Sequence, residues 1–87
     1  MTAVSIHDKR IDQPTVDKLC FLHELYVKSR PGGRPMRLIA CDLSGLDLSG
    51  RDLSEADLTG CTLRNARLVK TVFRRATLRS VDFDGAD

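Results

Sequence analysis

From residue 36 to residue 85 a large apolar side chain recurs at every fifth position, and few polypeptide conformations can use such a period. Cut into fives, the segment reads MRLIA, CDLSG, LDLSG, RDLSE, ADLTG, CTLRN, ARLVK, TVFRR, ATLRS and VDFDG, with Ala86 and Asp87 opening another unit. The third place is held in turn by Leu38, Leu43, Leu48, Leu53, Leu58, Leu63, Leu68, Phe73, Leu78 and Phe83. On a continuous α-helix a step of five advances about 500°, so successive leucines fall about 140° apart and form no stripe. On a flat strand an odd step sends them to alternate faces. Neither ordinary element accounts for this region.

A short extended piece followed by a turn, repeated, does account for it. Within a unit the first and third places then share one side, and the first places are mostly small or apolar: Met36, Cys41, Leu46, Ala56, Cys61, Ala66, Thr71, Ala76 and Val81, with Arg51 the exception. Gly45, Gly50, Gly60 and Gly85 stand at the fifth place, where a turn favours an unhindered backbone. These patterns predict an all-β solenoid. Its structural core is Leu43, Leu48, Leu53, Leu58, Leu63, Leu68, Phe73, Leu78 and Phe83.

Units such as Ala56-Asp57-Leu58-Thr59-Gly60 resemble those of the pentapeptide-repeat proteins, and the resemblance covers residues 36–87. It implies a right-handed quadrilateral β-helix of about 2.5 coils, with four units or about 20 residues per coil. The central Leu or Phe and the small first residue would stack inside. It implies a non-enzymatic structural or protein-interaction module, and no particular partner.

The segment 1–35 lacks the period and reads as a cap. Pro14 suits a first helical turn, Asp12 can cap it, and Val16, Leu19, Cys20, His23, Tyr26 and Val27 recur at steps of three and four. A helix over about 14–29, stopped by Arg30-Pro31-Gly32-Gly33, would cover the first coil at Met36 and Leu38 and shield its open edge. Val4 and Ile6 alternate with polar neighbours, which predicts a short edge strand over about 3–7.

The 87 residues carry 14 Lys and Arg against 12 Asp and Glu, a net charge of +2. The chain is short enough to be one domain, and no apolar run is long enough for a membrane span. The polar start carries no secretory leader, so the expected compartment is the cytoplasm. Three cysteines without a paired motif suit a reducing environment and no disulfide framework. Cys41 and Cys61, one coil apart, should stack inside as free thiols, and no spacing suggests a metal site, a nucleotide loop or a cofactor. Ser5, His7 and Asp8 are adjacent in sequence only, whereas catalytic triads are defined by geometry. His23 reads as a packed core histidine.

Folded at the spacing the resemblance implies, Asp42, Asp47, Asp52, Glu55 and Asp57 form one acidic ring. Arg64, Arg67, Lys70, Arg74, Arg75 and Arg79 form a basic ring beside it. Cross-coil ion pairs are expected between Asp47 and Arg67, Arg67 and Asp87, Glu55 and Arg75, and Arg64 and Asp84, each contributing about 0.2 to 1 kcal/mol. Some proteins of the family resembled are acidic, DNA-shaped inhibitors of DNA gyrase, so a regulator of such a nucleic-acid enzyme is the alternative function. Residues 36–87 hold eight basic and eight acidic residues. At the strand spacing they form a rod of only about 12 Å, so the composition argues against DNA mimicry and against nucleic-acid binding.

Three features stand out against the repeat. Arg51 takes an inward place, and its side chain is expected to turn toward the amino-terminal end and meet an acid or helix carbonyls. Val69 and Val72 take outward places near Arg74 and Arg75. They form a candidate interaction patch, or a surface covered by the amino-terminal strand, with covering preferred. Finally, nothing in the sequence caps Leu68, Phe73, Leu78 and Phe83. That end invites a homodimer through the last coil, or further coils in a longer chain.

Overall fold

The computed structural model describes residues 2–87, and its elements are strand β1 (Val4–His7), helix α1 (Gln13–Val27) and strand β2 (Met36–Ile39). β1 and β2 pair in parallel, Val4 opposite Met36 and His7 opposite Ile39, with α1 in the crossover between them. Beyond β2 the repeats contribute isolated parallel bridges: Arg37 to Asp57, Asp42 to Thr62, Asp47 to Arg67, Asp52 to Val72, Asp57 to Thr77 and Thr62 to Asp82. Every one joins residues twenty apart, so the backbone returns beside itself after four units. The extended stretches are too short to count as strands, and assigned strand is therefore sparser than an all-β reading of the sequence expects.

The hydrogen bonds explain why the unit has five residues. The third-place and fifth-place N–H groups bond forward to the next layer, as Leu43 does to the Thr62 carbonyl at 2.8 Å and Gly45 to the Arg64 carbonyl at 2.9 Å. The second-place N–H bonds backward, as Thr62 does to the Cys41 carbonyl at 3.0 Å. The first-place N–H closes a tight turn onto the preceding third-place carbonyl, as in Ala56 to Leu53 at 3.0 Å. Each turn bends at a fifth-place residue with positive φ, from Ala40 (54°) through Glu55 (66°), Lys70 (61°) and Arg75 (55°) to Gly85 (73°). Positive φ at the third residue of a four-residue turn, with none at the second, is the type II pattern.

Leu38, Leu43, Leu48, Leu53, Leu58 and Leu63 fill the interior, each buried, with Met36, Cys41, Leu46, Ala56, Cys61 and Ala66 from the first places beside them. Leu68, Phe73 and Leu78 are only half-buried and Phe83 is 37% exposed, because no layer among the described residues lies over them. Phe73 and Phe83 meet edge to face across that layer, with ring centroids 6.3 Å apart.

The amino-terminal segment copies the repeat before the helix begins. The Asp8 N–H donates to the Ile39 carbonyl, Ile11 to the Asp42 carbonyl, and Asp42 to the Lys9 carbonyl, the same pattern that joins the later layers. Asp8 has φ of 56°, as a fifth-place residue would, and Ile11 is buried like a third-place leucine. Val4–Gln13 thus stands in for two units of a preceding layer. α1 lies over the remaining two sides, burying Val16, Leu19, Cys20 and His23. Asp12 caps it by accepting from the Thr15 N–H. The helix stops at Val27, short of residue 29, because Ser29 enters the left-handed region. There the Ser29 N–H meets the Tyr26 carbonyl and the Arg30 N–H the Leu25 carbonyl, which forms a Schellman end. Gly33 lies so close to the Tyr26 backbone that a Cβ there would overlap it.

The turns predict opposite effects at chemically similar sites. Gly50 has open space around its Cα, so Gly50→Ala tests backbone strain alone and should cost about 1 to 2 kcal/mol in chemical denaturation. Lys70→Gly, at the same place of another unit, should be neutral or stabilising by up to about 1 kcal/mol, since it removes that strain. Equal losses at both sites would contradict the turn assignment.

Candidate interaction surfaces at the two ends

The repeat geometry makes the two ends of the stack chemically unlike. Each unit directs two N–H groups and one carbonyl forward, and one N–H and two carbonyls backward. The amino-terminal edge is therefore rich in acceptors and the far edge in donors.

Side chains of the cap satisfy the amino-terminal edge where β1 does not reach. The Gln13 amide imitates a peptide unit, accepting from the Asp47 N–H at 2.8 Å and donating to the Asp47 carbonyl at 2.9 Å. Arg10 donates to the Ser44 carbonyl at 2.9 Å, and a Glu24 carboxylate oxygen accepts from the Asp52 N–H at 3.0 Å. His23 is buried between two backbone groups: Nδ1 accepts from the Met36 N–H at 2.9 Å, and Nε2 lies 2.7 Å from the Ser54 carbonyl. A carbonyl can only accept and an amide N–H only donate, so the ring carries its proton on Nε2.

Arg51 leaves its inward place toward the same end. Its guanidinium reaches Glu24 Oε1 at 2.9 Å, the Asp17 carboxylate at 3.7 Å and the Asp17 carbonyl at 3.3 Å. A charge in a column of small and apolar residues becomes a tie between α1 and the first layer. Glu24 serves both the Arg51 guanidinium, which it shares with Asp17, and the Asp52 N–H, which has no other partner among the described residues.

Of the cross-layer charge pairs, Glu55 with Arg75 (3.5 Å) and Arg64 with Asp84 (3.1 Å) form, joined by Arg37 with Asp57 (3.5 Å) and Arg10 with Asp42 (3.2 Å). Asp47 and Arg67 are backbone neighbours yet make no ion pair within 4 Å, and neither do Arg67 and Asp87. The second-place aspartates have a more local role that the sequence reading missed. Asp42, Asp47, Asp52, Asp57 and Asp82 each accept from the N–H two residues on, fixing the entry to the turn. Ser54 and Thr59 add their hydroxyls to Asp52 and Asp57. These hydroxyl bonds hold the Asp52 and Asp57 carboxyls below the ordinary carboxylate range, and the Ser49 N–H does the same for Asp47.

The cysteines are buried and free. Cys61 Sγ contacts the Leu38 carbonyl at 3.0 Å and Cys41 Sγ the Ile6 carbonyl at 3.4 Å. Burial pushes the Cys20 thiol up to about 12 and the Cys61 thiol to about 11, so neither is a nucleophile at neutral pH. Ser5 Oγ and His7 Nε2 lie 3.4 Å apart on an exposed face of β1.

Val69 and Val72 are not covered by the amino-terminal strand. β1 is committed to β2, and the Val72 side of the second layer already pairs with Arg51 of the first: the Val72 N–H reaches the Arg51 carbonyl at 2.9 Å. Val69 is 49% exposed and Val72 half-buried, beside the exposed Arg74 and Arg75. No helix among the described residues is long and apolar enough to cross a membrane.

The far edge stands open. From Lys70 onward the forward N–H groups of Lys70, Phe73, Arg75, Leu78, Ser80, Phe83 and Gly85 have no hydrogen-bond partner among the described residues. The carbonyls of Thr71, Ala76 and Val81 likewise have none.

A family model described as "Pentapeptide repeats (8 copies)" matches residues 37–68 and 56–87. No curated protein and no solved structure matches the chain.

One outcome tests the amino-terminal closure and another the turn aspartates. Glu24→Ala should cost about 2 to 3 kcal/mol by denaturant unfolding and more than Asp17→Ala, since only Glu24 also serves a backbone N–H. A larger loss at Asp17 would contradict this. The lowered carboxyls of Asp47, Asp52 and Asp57 contribute stability that is complete above their unfolded value of about 3.9 and is lost as pH falls through the lower folded values. An Asp52→Asn/Asp57→Asn variant keeps an oxygen that accepts from Ser54 and Thr59, so its stability should fall less steeply below about pH 4. Identical acid profiles would contradict the turn role of these side chains.

Proposed function

This chain belongs to the pentapeptide-repeat family, and we propose that it is a non-enzymatic protein-interaction module built as a right-handed quadrilateral β-helix, with the layer Leu68–Asp87 as its docking face. The observation that carries this reading is the difference between its ends. The amino-terminal edge is bonded by β1 and by Gln13, His23 and Glu24, whereas the far edge has donors and half-exposed Leu and Phe side chains that no described residue covers. An apolar layer ringed by polar groups gains most from a protein surface. A second copy docking on the same layer is the form of this reading that the sequence suggests. The alternative is a regulator that binds a nucleic-acid enzyme such as gyrase; its DNA-mimicking form draws little support, because the exposed ring of this layer mixes Lys70, Arg74, Arg75 and Arg79 with Asp82, Asp84 and Asp87.

Phe83→Asp removes apolar area from the face at a side chain already 37% exposed, so the fold should survive. In capture from native lysate, a partner retained by the wild type should be lost with Phe83→Asp and kept with Val69→Asp/Val72→Asp. Recovery of the same proteins by all three would overturn the assignment. Sedimentation from low micromolar to near-millimolar concentration reports whether the partner is a second copy.

A further inference from the structure

The donor-rich edge also restricts what can dock there. Within the stack, N–H groups equivalent to the uncovered ones bond to second-place and fourth-place carbonyls of the next layer at 2.7–3.0 Å: Gly50 to Val69, Leu53 to Val72, Glu55 to Arg74, Leu58 to Thr77, Gly60 to Arg79, Leu63 to Asp82 and Asn65 to Asp84. An occupant must therefore bring acceptors in excess of donors. A two-fold-related copy brings the same donor-rich edge. Its first-place carbonyls could meet third-place N–H groups, but the fifth-place N–H groups of Lys70, Arg75, Ser80 and Gly85 would face donors. Burying N–H groups without an acceptor forfeits their hydrogen bonds to water, which disfavours the symmetric copy.

Charge and burial restrict it further. Along the sides from Lys70 to Ser80 the outward side chains Lys70, Arg74, Arg75 and Arg79 are exposed, and among the described residues only Arg75 has an ion pair, with Glu55. Just inside them Phe73 and Leu78 are half-buried and need an apolar cover, which a nucleic-acid backbone does not supply. The next side differs, because Asp82 and Asp84 are there and both meet Arg64.

We infer that the edge Lys70–Ser80 adds an extended segment of an unlike protein in which apolar residues alternate with aspartate or glutamate. The inference rests on the docking-face reading above and names its partner's chemistry. Carbonyls of the segment, or its carboxylates, accept from the N–H groups of Phe73, Arg75, Leu78 and Ser80, as the Glu24 carboxylate does from Asp52 at the other end. Apolar side chains of the segment cover Phe73 and Leu78, and its acids face Lys70, Arg74 and Arg79.

The test titrates the 87-residue protein with a blocked ten-residue peptide made of two copies of the Ala56–Gly60 sequence, followed by amide chemical shifts. The Phe73, Arg75, Leu78 and Ser80 signals should move. Replacing the peptide's two aspartates with lysine should weaken binding by about tenfold or more, as like charges come together. A folded Lys70→Glu/Arg74→Glu/Arg79→Glu variant should reverse the preference and take the lysine peptide, which separates a charge effect from misfolding. Shifts confined to the Val69 and Val72 corner would overturn the edge pairing and leave a docking role standing. Equal shifts from a single-stranded oligonucleotide would show a general polyanion site instead. Concentration-dependent shifts of the same amides without peptide would assign the edge to a second copy. No shifts with either peptide near millimolar concentration, with no partner lost through Phe83→Asp, would overturn both readings.

Discussion

The lateral hydrogen bonds between residues twenty apart are the constraint from which the rest of the molecule follows. A backbone that returns beside itself every four units brings like places into columns, so a single choice of residue is repeated through the stack. Third places become the core, as Leu43 and Leu63 show. Second places become a column of outward groups, where aspartates anchor the turns. Fifth places must accept positive φ, and six of the ten do so without glycine: Ala40, Glu55, Asn65, Lys70, Arg75 and Ser80. Such residues are strained in that region by about 1 to 2 kcal/mol each, so the ladder and the packed interior must outweigh a recurring local cost.

The same ladder gives the stack a polarity. With two donors forward for each one backward, its ends need different chemistry, as an α-helix does at its own two ends. The amino-terminal segment meets that need by three means. Val4–Gln13 supplies backbone in the repeat's own geometry, Gln13 and His23 supply side chains that imitate peptide groups, and Glu24 supplies an acceptor neutralised by Arg51. Arg51 is thus an exception to the repeat because it belongs to the cap.

The period over residues 36–85 was legible because one side chain per unit has no other place to go. The helix was legible because Pro14, Asp12 and the spacing from Val16 onward all agree. Val4–Gln13 was not seen as repeat-like: two isoleucines five apart, Ile6 and Ile11, are too few to distinguish a period from chance. Arg51 turns toward the cap as its inward place implies, since an inward charge has few alternatives. The covering expected for Val69 and Val72 does not form, because it depends on which edge is free. The side of the second layer bearing Val72 is already bonded to the first, whereas β2 offered β1 an unpaired edge. The acidic column suggests ion pairing across layers, while its first use is a bond to an N–H two residues away. Charge patterns in a sequence show complementarity at a distance more readily than a cap within one turn.

Native-state hydrogen exchange of the isolated protein tests the polarity of the stack most directly. Leu58 and Gly60 lie in the same column as Leu78 and Ser80, one layer earlier, and donate to the Thr77 and Arg79 carbonyls. The account predicts slow exchange for the Leu58 and Gly60 amides and exchange near the unprotected rate for Leu78 and Ser80 in dilute solution. Equal protection of the two pairs in the monomer would contradict it.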